Sequence, residues 1–153
     1  MAQEKNDNSH IVKKIALFGN GVVRCGVYHT LIVLDYGEVI SIGNQTYRYR
    51  LLEVVDGPYG IRIHDVKANT EYEALNMRMR NGLSFERWGN DAELKMHDSV
   101  IQKVIDEYNG KKYVPFSPIF CPRNCRTFVN RVFKECGSSK RTFDFIFRNF
   151  CIE

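Results

Sequence analysis

An α+β fold, an antiparallel sheet with a cysteine-bearing helix packed on it, follows from three observations on this chain. The first half is a run of short apolar segments that alternate or continue as strands do, each closed by Gly, Asn, Asp or Pro. A tight turn, Asp35-Tyr36-Gly37, sits between two of those segments and folds one back on the other. From Asp91 onward the period changes, and apolar residues recur three and four positions apart, as they do along one face of a helix.

In chain order, Met1–His10 is polar and is expected to be disordered rather than an address. Ile11–Phe18 alternates into a first strand, and Gly19-Asn20-Gly21 supplies turn chemistry after it. Tyr28–Leu34 is apolar almost throughout and reads as a buried second strand. Beyond the Asp35-Tyr36-Gly37 turn, Glu38–Ile42 makes a third strand paired back on the second, ended by Gly43. Tyr47–Val55 and Gly60–Val66 are further strands on either side of Asp56-Gly57-Pro58. The polar stretch from Lys67 to Gly89 reads as loop with one short helix.

The spacing of Leu94, Ile101, Val104, Ile105 and Tyr108 predicts a helix capped by Asn90 or Asp91 and stopped at Asn109-Gly110. Tyr113–Phe116 is a short extended piece. Pro118 and Pro122 then lead into a second helix, on which Phe128, Val129, Val132 and Phe133 share a face and which Gly137 ends. The organisation is a disordered segment 1–10, one domain over 11–137 and a tail over 138–153, with no internal repeat. The tail sets Phe143, Phe145, Ile146, Phe147 and Phe150 among Lys140, Arg141 and Arg148. Such a segment suits a membrane interface, and it equally suits packing on the core as a last element.

At 153 residues, 44% of them apolar and 26% charged, the chain is long enough for one core that buries roughly two-thirds of its unfolded surface. The net charge of +4 comes from scattered pairs such as Lys13-Lys14 and Lys111-Lys112, so no basic stripe argues for nucleic acid. Five cysteines form an odd set without framework spacing, which predicts a reducing, cytoplasmic setting. No apolar run reaches the roughly 20 residues that cross a bilayer, so the expected state is soluble or peripheral.

Two residues stand in sequence contexts that favour reaction. Asn124 has the side-chain acceptor that a helix N-cap uses, which places Cys125 at the first or second position of the helix. There the helix dipole and unpaired N–H groups favour a thiolate and an oxyanion forming beside it. The competing reading of Cys125 is a small buried hydrophobe. His29 opens the second strand, where a central element would hold its imidazole rigidly as a base for the thiol. His10 lies in the polar segment, and His64 and His97 have no telling spacing to an acid or thiol. Around a turn centred near Tyr36, His29 lies opposite about Gly43, with Ser41 and Asn44 nearby, so Ser41 is the candidate to orient the ring.

No cofactor or metal is expected. Cys121-x-x-x-Cys125 is a single compact pair, whereas structural zinc uses two. Gly19-Asn20-Gly21 lacks the residues of a phosphate loop or dinucleotide fingerprint, and there is no G-x-S-x-G elbow.

His29-Thr30-Leu31-Ile32-Val33-Leu34-Asp35-Tyr36-Gly37-Glu38-Val39-Ile40-Ser41 resembles the histidine box of the lecithin retinol acyltransferase-like family. Asn124-Cys125-Arg126-Thr127-Phe128-Val129-Asn130 resembles its asparagine-cysteine box. Those proteins are circularly permuted relatives of NlpC/P60 and papain-like thiol enzymes, with the histidine ahead of the cysteine. The resemblance covers about Ile11 to Gly137. It implies a permuted NlpC/P60 fold and a thiol acyltransferase or phospholipase acting on lipid acyl esters, with Cys125 as nucleophile, His29 as base and a thioester acyl-enzyme. Ser41 stands where the family has a second histidine, twelve positions after the first, and Arg126-Thr127 replaces the acidic-histidine pair that follows the cysteine. The long hydrophobic anchor of many members is not expected here, only the short aromatic tail. A sister group of permuted isopeptidases, the PPPDE group, shares the His-Thr strand start and the Asn-Cys-x-x-Phe pattern, and it implies ubiquitin-like conjugates as substrate. A non-catalytic relative that keeps the fold for binding is the third reading, and Ser41 favours it.

Overall fold

The computed structural model describes residues 10–22, 27–78, 85–114 and 123–136. Cys25, Cys121, Cys151, Pro118, Pro122, Gly137 and the aromatic tail, on which several sequence expectations fall, lie outside the described residues.

Six strands build one antiparallel sheet: β1 (Ile11–Val22), β2 (Val27–Ile42), β3 (Gln45–Gly57), β4 (Gly60–Ala68), β5 (Glu86–Arg87) and β6 (Ala92–His97). The order is β4-β3-β2-β1, and the outer edge of β1 is shared by β6 along one half and β5 along the other. Among the described residues three helices cover the sheet: α1 (Glu71–Arg78), α2 (Asp98–Tyr108) and α3 (Cys125–Cys136). The fold is therefore α+β, with the cysteine helix on the sheet.

Strand alternation divides the core in two. On one face Ile15, Leu17, Ile32, Leu34, Leu52 and Val54 pack with Ile101 and Val104 of α2 and Phe128, Val129, Val132 and Phe133 of α3. On the other, Ala16, Phe18, Leu31, Val33 and Leu51 pack with Ala74 of α1. The apolar run of β2 is thus explained by burial on both faces.

β1 runs through Gly19-Asn20-Gly21 instead of turning there. Gly19 is a packing glycine: a Cβ at that position would lie 2.4 Å from the Trp88 ring, which rests on the strand. Close approach of another group is the other meaning of a glycine in a strand.

The expected third strand, Glu38–Ile42 folded back on the second, is replaced by the far half of a sixteen-residue β2. The Asp35-Tyr36-Gly37 signal is locally correct, since Asp35 Oδ1 accepts the Gly37 N–H at 2.7 Å and Gly37 has φ +81°. It makes a bulge rather than a hairpin: residues 36–39 of β2 stand opposite Arg48 alone on β3. Tyr36 turns inward, buried edge-on against Tyr47, and Arg48 spans the bulge to Asp35 with contacts of 2.9 and 3.1 Å. The reversal comes instead at Gly43-Asn44, with Ile42 paired to Gln45.

The helix expected from Asp91 begins at Asp98. Ala92–His97 pairs with β1 as β6, so the burial of Ala92 and Met96 reflects strand alternation. The stop at Asn109-Gly110 is as expected, with Gly110 at φ +83° and the Asn109 N–H donating to the Ile105 carbonyl. Within Lys67–Gly89 the short helix is α1, entered from Thr70, whose Oγ1 accepts the Glu73 N–H at 3.0 Å.

A buried arginine ties α2 to the sheet. Arg50 on β3 is 5% exposed, and it donates to Asp65 of β4 through Nε (3.0 Å) and Nη2 (2.8 Å). It also reaches Asp98 (3.1 Å) and Gln102 (3.2 Å) on α2, while the Tyr36 hydroxyl donates to the same Asp98. Removing one member of a buried, fully hydrogen-bonded set strands the others. Arg50→Ala is expected to destabilise the fold by about 3–5 kcal/mol in urea denaturation, and Arg50→Lys to recover little of it because an ammonium lacks the planar fork.

Candidate active site

Cys125 is the first residue of α3, and Asn124 is its N-cap as the sequence predicts. Asn124 Oδ1 accepts the N–H groups of Arg126 (2.9 Å) and Thr127 (3.1 Å). Thr127 Oγ1 in turn accepts the Asn124 N–H at 2.8 Å, a reciprocal cap of the kind that fixes a helix start. Asn124 is itself buried, its Nδ2 donating to the Val114 carbonyl at 3.2 Å, and Val114 pairs with Arg123 as an isolated bridge. Tyr108 of α2 donates to Thr127 Oγ1 at 2.9 Å and lies edge-on against Phe128, so α2 fixes the same turn from outside.

His29 lies near the start of β2, and the fold brings its imidazole close enough to the Cys125 thiol for each to shift the other's pKa. Ser41 does not join them. It is an exposed residue paired with Thr46 next to the Gly43-Asn44 turn, roughly 30 Å along β2 from His29. The expectation that it lies across a hairpin from His29 is corrected by the bulge, which lets β2 run on instead of folding back. Asn44, in the same exposed turn, is equally remote.

The group that holds His29 is Glu53 on β3. Its Oε2 lies 2.6 Å from His29 Nε2, which leaves Nδ1 for the thiol. Glu53 is 2% exposed, whereas the His29 side chain is 32% exposed. The second oxygen of Glu53 lies 3.5 Å from Nδ1 of His64, its cross-strand partner on β4. One buried carboxylate therefore serves two imidazoles on the strands to either side. Phe85 flanks His29 with ring centroids 6.0 Å apart.

The charges follow from these contacts. Burial alone would favour a neutral imidazole, but hydrogen bonds and charges from Cys125 and Glu53 outweigh it and push His29 up to about 9. Burial alone would also raise the Cys125 thiol. The His29 contact, with smaller contributions from the Thr30 N–H and hydroxyl, carries it below the ordinary thiol range instead. The Tyr113 phenol is pushed up by burial and then by the neighbouring Cys125. Both shifts favour the charged forms, a thiolate beside an imidazolium that Glu53 holds.

Sequence reasoning passed over Glu53 and Thr30 as site residues, and His64, set aside for want of a telling spacing to an acid, is the cross-strand partner of Glu53. A single carboxylate inside Leu51-Leu52-Glu53-Val54-Val55 was the available signal, since an acid on a buried strand needs a partner. His10 contributes only its carbonyl, which accepts the Asp98 N–H, and His97 ends β6 exposed. Among the described residues no three His, Cys, Asp or Glu side chains converge as metal ligands, and no helix is long and apolar enough to cross a membrane.

No protein-family model, curated protein sequence or solved structure matches this chain.

His29, with its pKa raised to about 9, stabilises the fold fully below its unfolded value near 6.5 and loses that contribution as pH rises through 9. Histidine NMR is expected to show His29 protonated at neutral pH and titrating near pH 9. In Glu53→Gln, with the carboxylate charge gone, the midpoint should move down toward the ordinary imidazole range by about 1 pH unit or more.

Proposed function

We propose that this protein is a cysteine-dependent acyl-transfer enzyme with Cys125 as nucleophile, His29 as acid–base and Glu53 as the group that orients and charges the imidazole. The observation that carries this reading is the 2.6 Å contact of His29 Nε2 with buried Glu53, on an imidazole close enough to a thiol at a capped helix N-terminus for each to shift the other's pKa. The constellation of nucleophile, base and orienting acid is recognised by geometry, whatever the fold.

In the reaction, the Cys125 thiolate attacks an acyl carbonyl, and the oxyanion forms at the start of α3. The Cys125 N–H, which the Asn124 side chain does not take, stabilises it there. His29 gives its proton to the leaving oxygen, the carbon–oxygen bond breaks, and the acyl group stays on sulfur as a thioester. Neutral His29 then takes a proton from water or an acceptor alcohol or amine, which attacks the thioester and releases the thiolate.

The resemblance of the two boxes to the lecithin retinol acyltransferase-like family gives the permuted NlpC/P60 fold, a lipid acyl ester as substrate and peripheral contact with membrane in the cytoplasm. Glu53 then takes the part that the family gives to its second histidine. A second reading, an isopeptidase of PPPDE type, is favoured by one observation: Thr30, of the shared His-Thr start, lies on the sheet face that Cys125 packs against. A carboxylate-held imidazolium also suits protonation of an amine leaving group.

Incubation with phosphatidylcholine vesicles is expected to release fatty acid and to leave an acyl adduct on Cys125 detectable by mass spectrometry. Cys125→Ser should abolish both while the fold persists, and Glu53→Gln should lower kcat by about 10²–10⁴-fold. Turnover should rise through a thiol pKa below the ordinary range and fall near pH 9, where His29 loses its proton. Turnover of a ubiquitin-like conjugate instead of lipid would select the second reading. A Cys125 that resists iodoacetamide at neutral pH would reduce the site to a binding fold.

A further inference from the structure

Thr30 is 1% exposed, and its Oγ1 makes no well-formed hydrogen bond among the described residues. A buried hydroxyl with no partner is costly, and a β-branched strand position such as this one would ordinarily hold valine. The sheet shows where the hydroxyl points. Leu17 pairs with Ile32 and Ile15 with Leu34, and all four belong to the core face covered by α2 and α3. Thr30, paired with Gly19, is the next position along that same face, and Cys125 lies in the same cluster.

The backbone at this position is also free to serve the site. The pairing of β2 with β3 begins at Ile32–Leu52 among the described residues, so the His29-Thr30 end of β2 projects past its ladder with that neighbour. Opposite Thr30 the strand is flattened: Gly19 has no side chain and is roofed by the Trp88 ring. The strand end is thereby held in place while its N–H and hydroxyl remain available to a third element, the start of α3. Both Thr30 groups act on the Cys125 sulfur in the direction that favours the thiolate.

We propose that Thr30 is a further catalytic residue, its buried hydroxyl and N–H forming a two-donor cradle for the Cys125 sulfur on the side away from His29. This rests on the thiol-enzyme reading above. His29 supplies the charge that balances the thiolate, and Thr30 supplies fixed dipoles that remain when His29 has given its proton away. In the second half of the reaction the sulfur leaves as a thiolate, and a donor that does not titrate makes it a better leaving group at that moment. A thiolate at Cys125 gives the otherwise unmet Thr30 hydroxyl an acceptor.

The test is the pH dependence of iodoacetamide alkylation of Cys125 in the full chain, with thermal denaturation alongside. Wild type is expected to show an inflexion below the ordinary thiol range, and Thr30→Ser, which keeps the hydroxyl, to match it. Thr30→Val, nearly the same shape, should raise the inflexion by about 1 pH unit, tenfold in thiolate fraction below the midpoint, with Tm equal to or above wild type. Thr30→Ala is read in the same way if the valine variant does not fold. Unchanged inflexions in both Thr30→Val and Thr30→Ala, beside a depressed wild-type value, would overturn the proposal and leave the thiol enzyme standing. A lowered Tm in Thr30→Val without a shifted inflexion would make Thr30 structural. A wild-type inflexion in the ordinary thiol range would overturn the enzyme reading and this proposal with it.

Discussion

Glu53 is a carboxylate placed in the middle of a strand whose neighbours Leu51, Leu52 and Val54 are all buried, and the site is organised around what that placement requires. An ionised acid at 2% exposure needs hydrogen-bond donors and positive charge close by. The sheet brings an imidazole from each side, His29 on β2 and His64 on β4, and the charge comes from His29. The requirement is mutual: the carboxylate favours the charged His29 imidazole, and the charged imidazole favours the Cys125 thiolate. In the proposed enzyme, this chain of three groups, each favouring the charge of the next, leaves sulfur as the reactive end.

Rigid elements set the geometry of that chain. Glu53 and His29 sit on central strands of the sheet, packed on both faces by separate hydrophobic clusters. Cys125 is held by a helix start that Asn124 and Thr127 close reciprocally, with Tyr108 bonded to the same threonine. The Arg50 network then fixes α2, and so Tyr108, on β3 and β4. The buried arginine lies three residues from Glu53 and faces the opposite side of the same strand. One strand thus carries a structural ion cluster on one face and the proposed catalytic acid on the other.

Much of this architecture was legible in the residues. The Cys125 helix, its Asn124 cap and its buried face of Phe128, Val129, Val132 and Phe133 follow from a helical period with a capping residue ahead of it, both local properties. β3 and β4 were legible because Asp56-Gly57-Pro58 punctuates them. Two local signals misled. Asp35-Tyr36-Gly37 has the chemistry of a turn, and it does bend the chain, but Tyr36 finds Tyr47 and Asp98 in the core, so the strand resumes. Gly19-Asn20-Gly21 has the same chemistry, and there the reason for glycine is Trp88, well outside any local window.

The sequence by itself determined which side chains have reactive chemistry: a thiol one residue past a helix cap, and an imidazole at the head of a buried strand. Both are consequences of spacing over a few residues. Only the tertiary structure decided what orients the imidazole, because that depends on register between strands. A bulge of a few residues in β2 sends Ser41 to the far end of the sheet, and the β3 register brings Glu53, twenty-four positions from His29, into contact with it. Alternation of side chains makes register all-or-none: it selects which face each residue serves, and no local sequence signal fixes it.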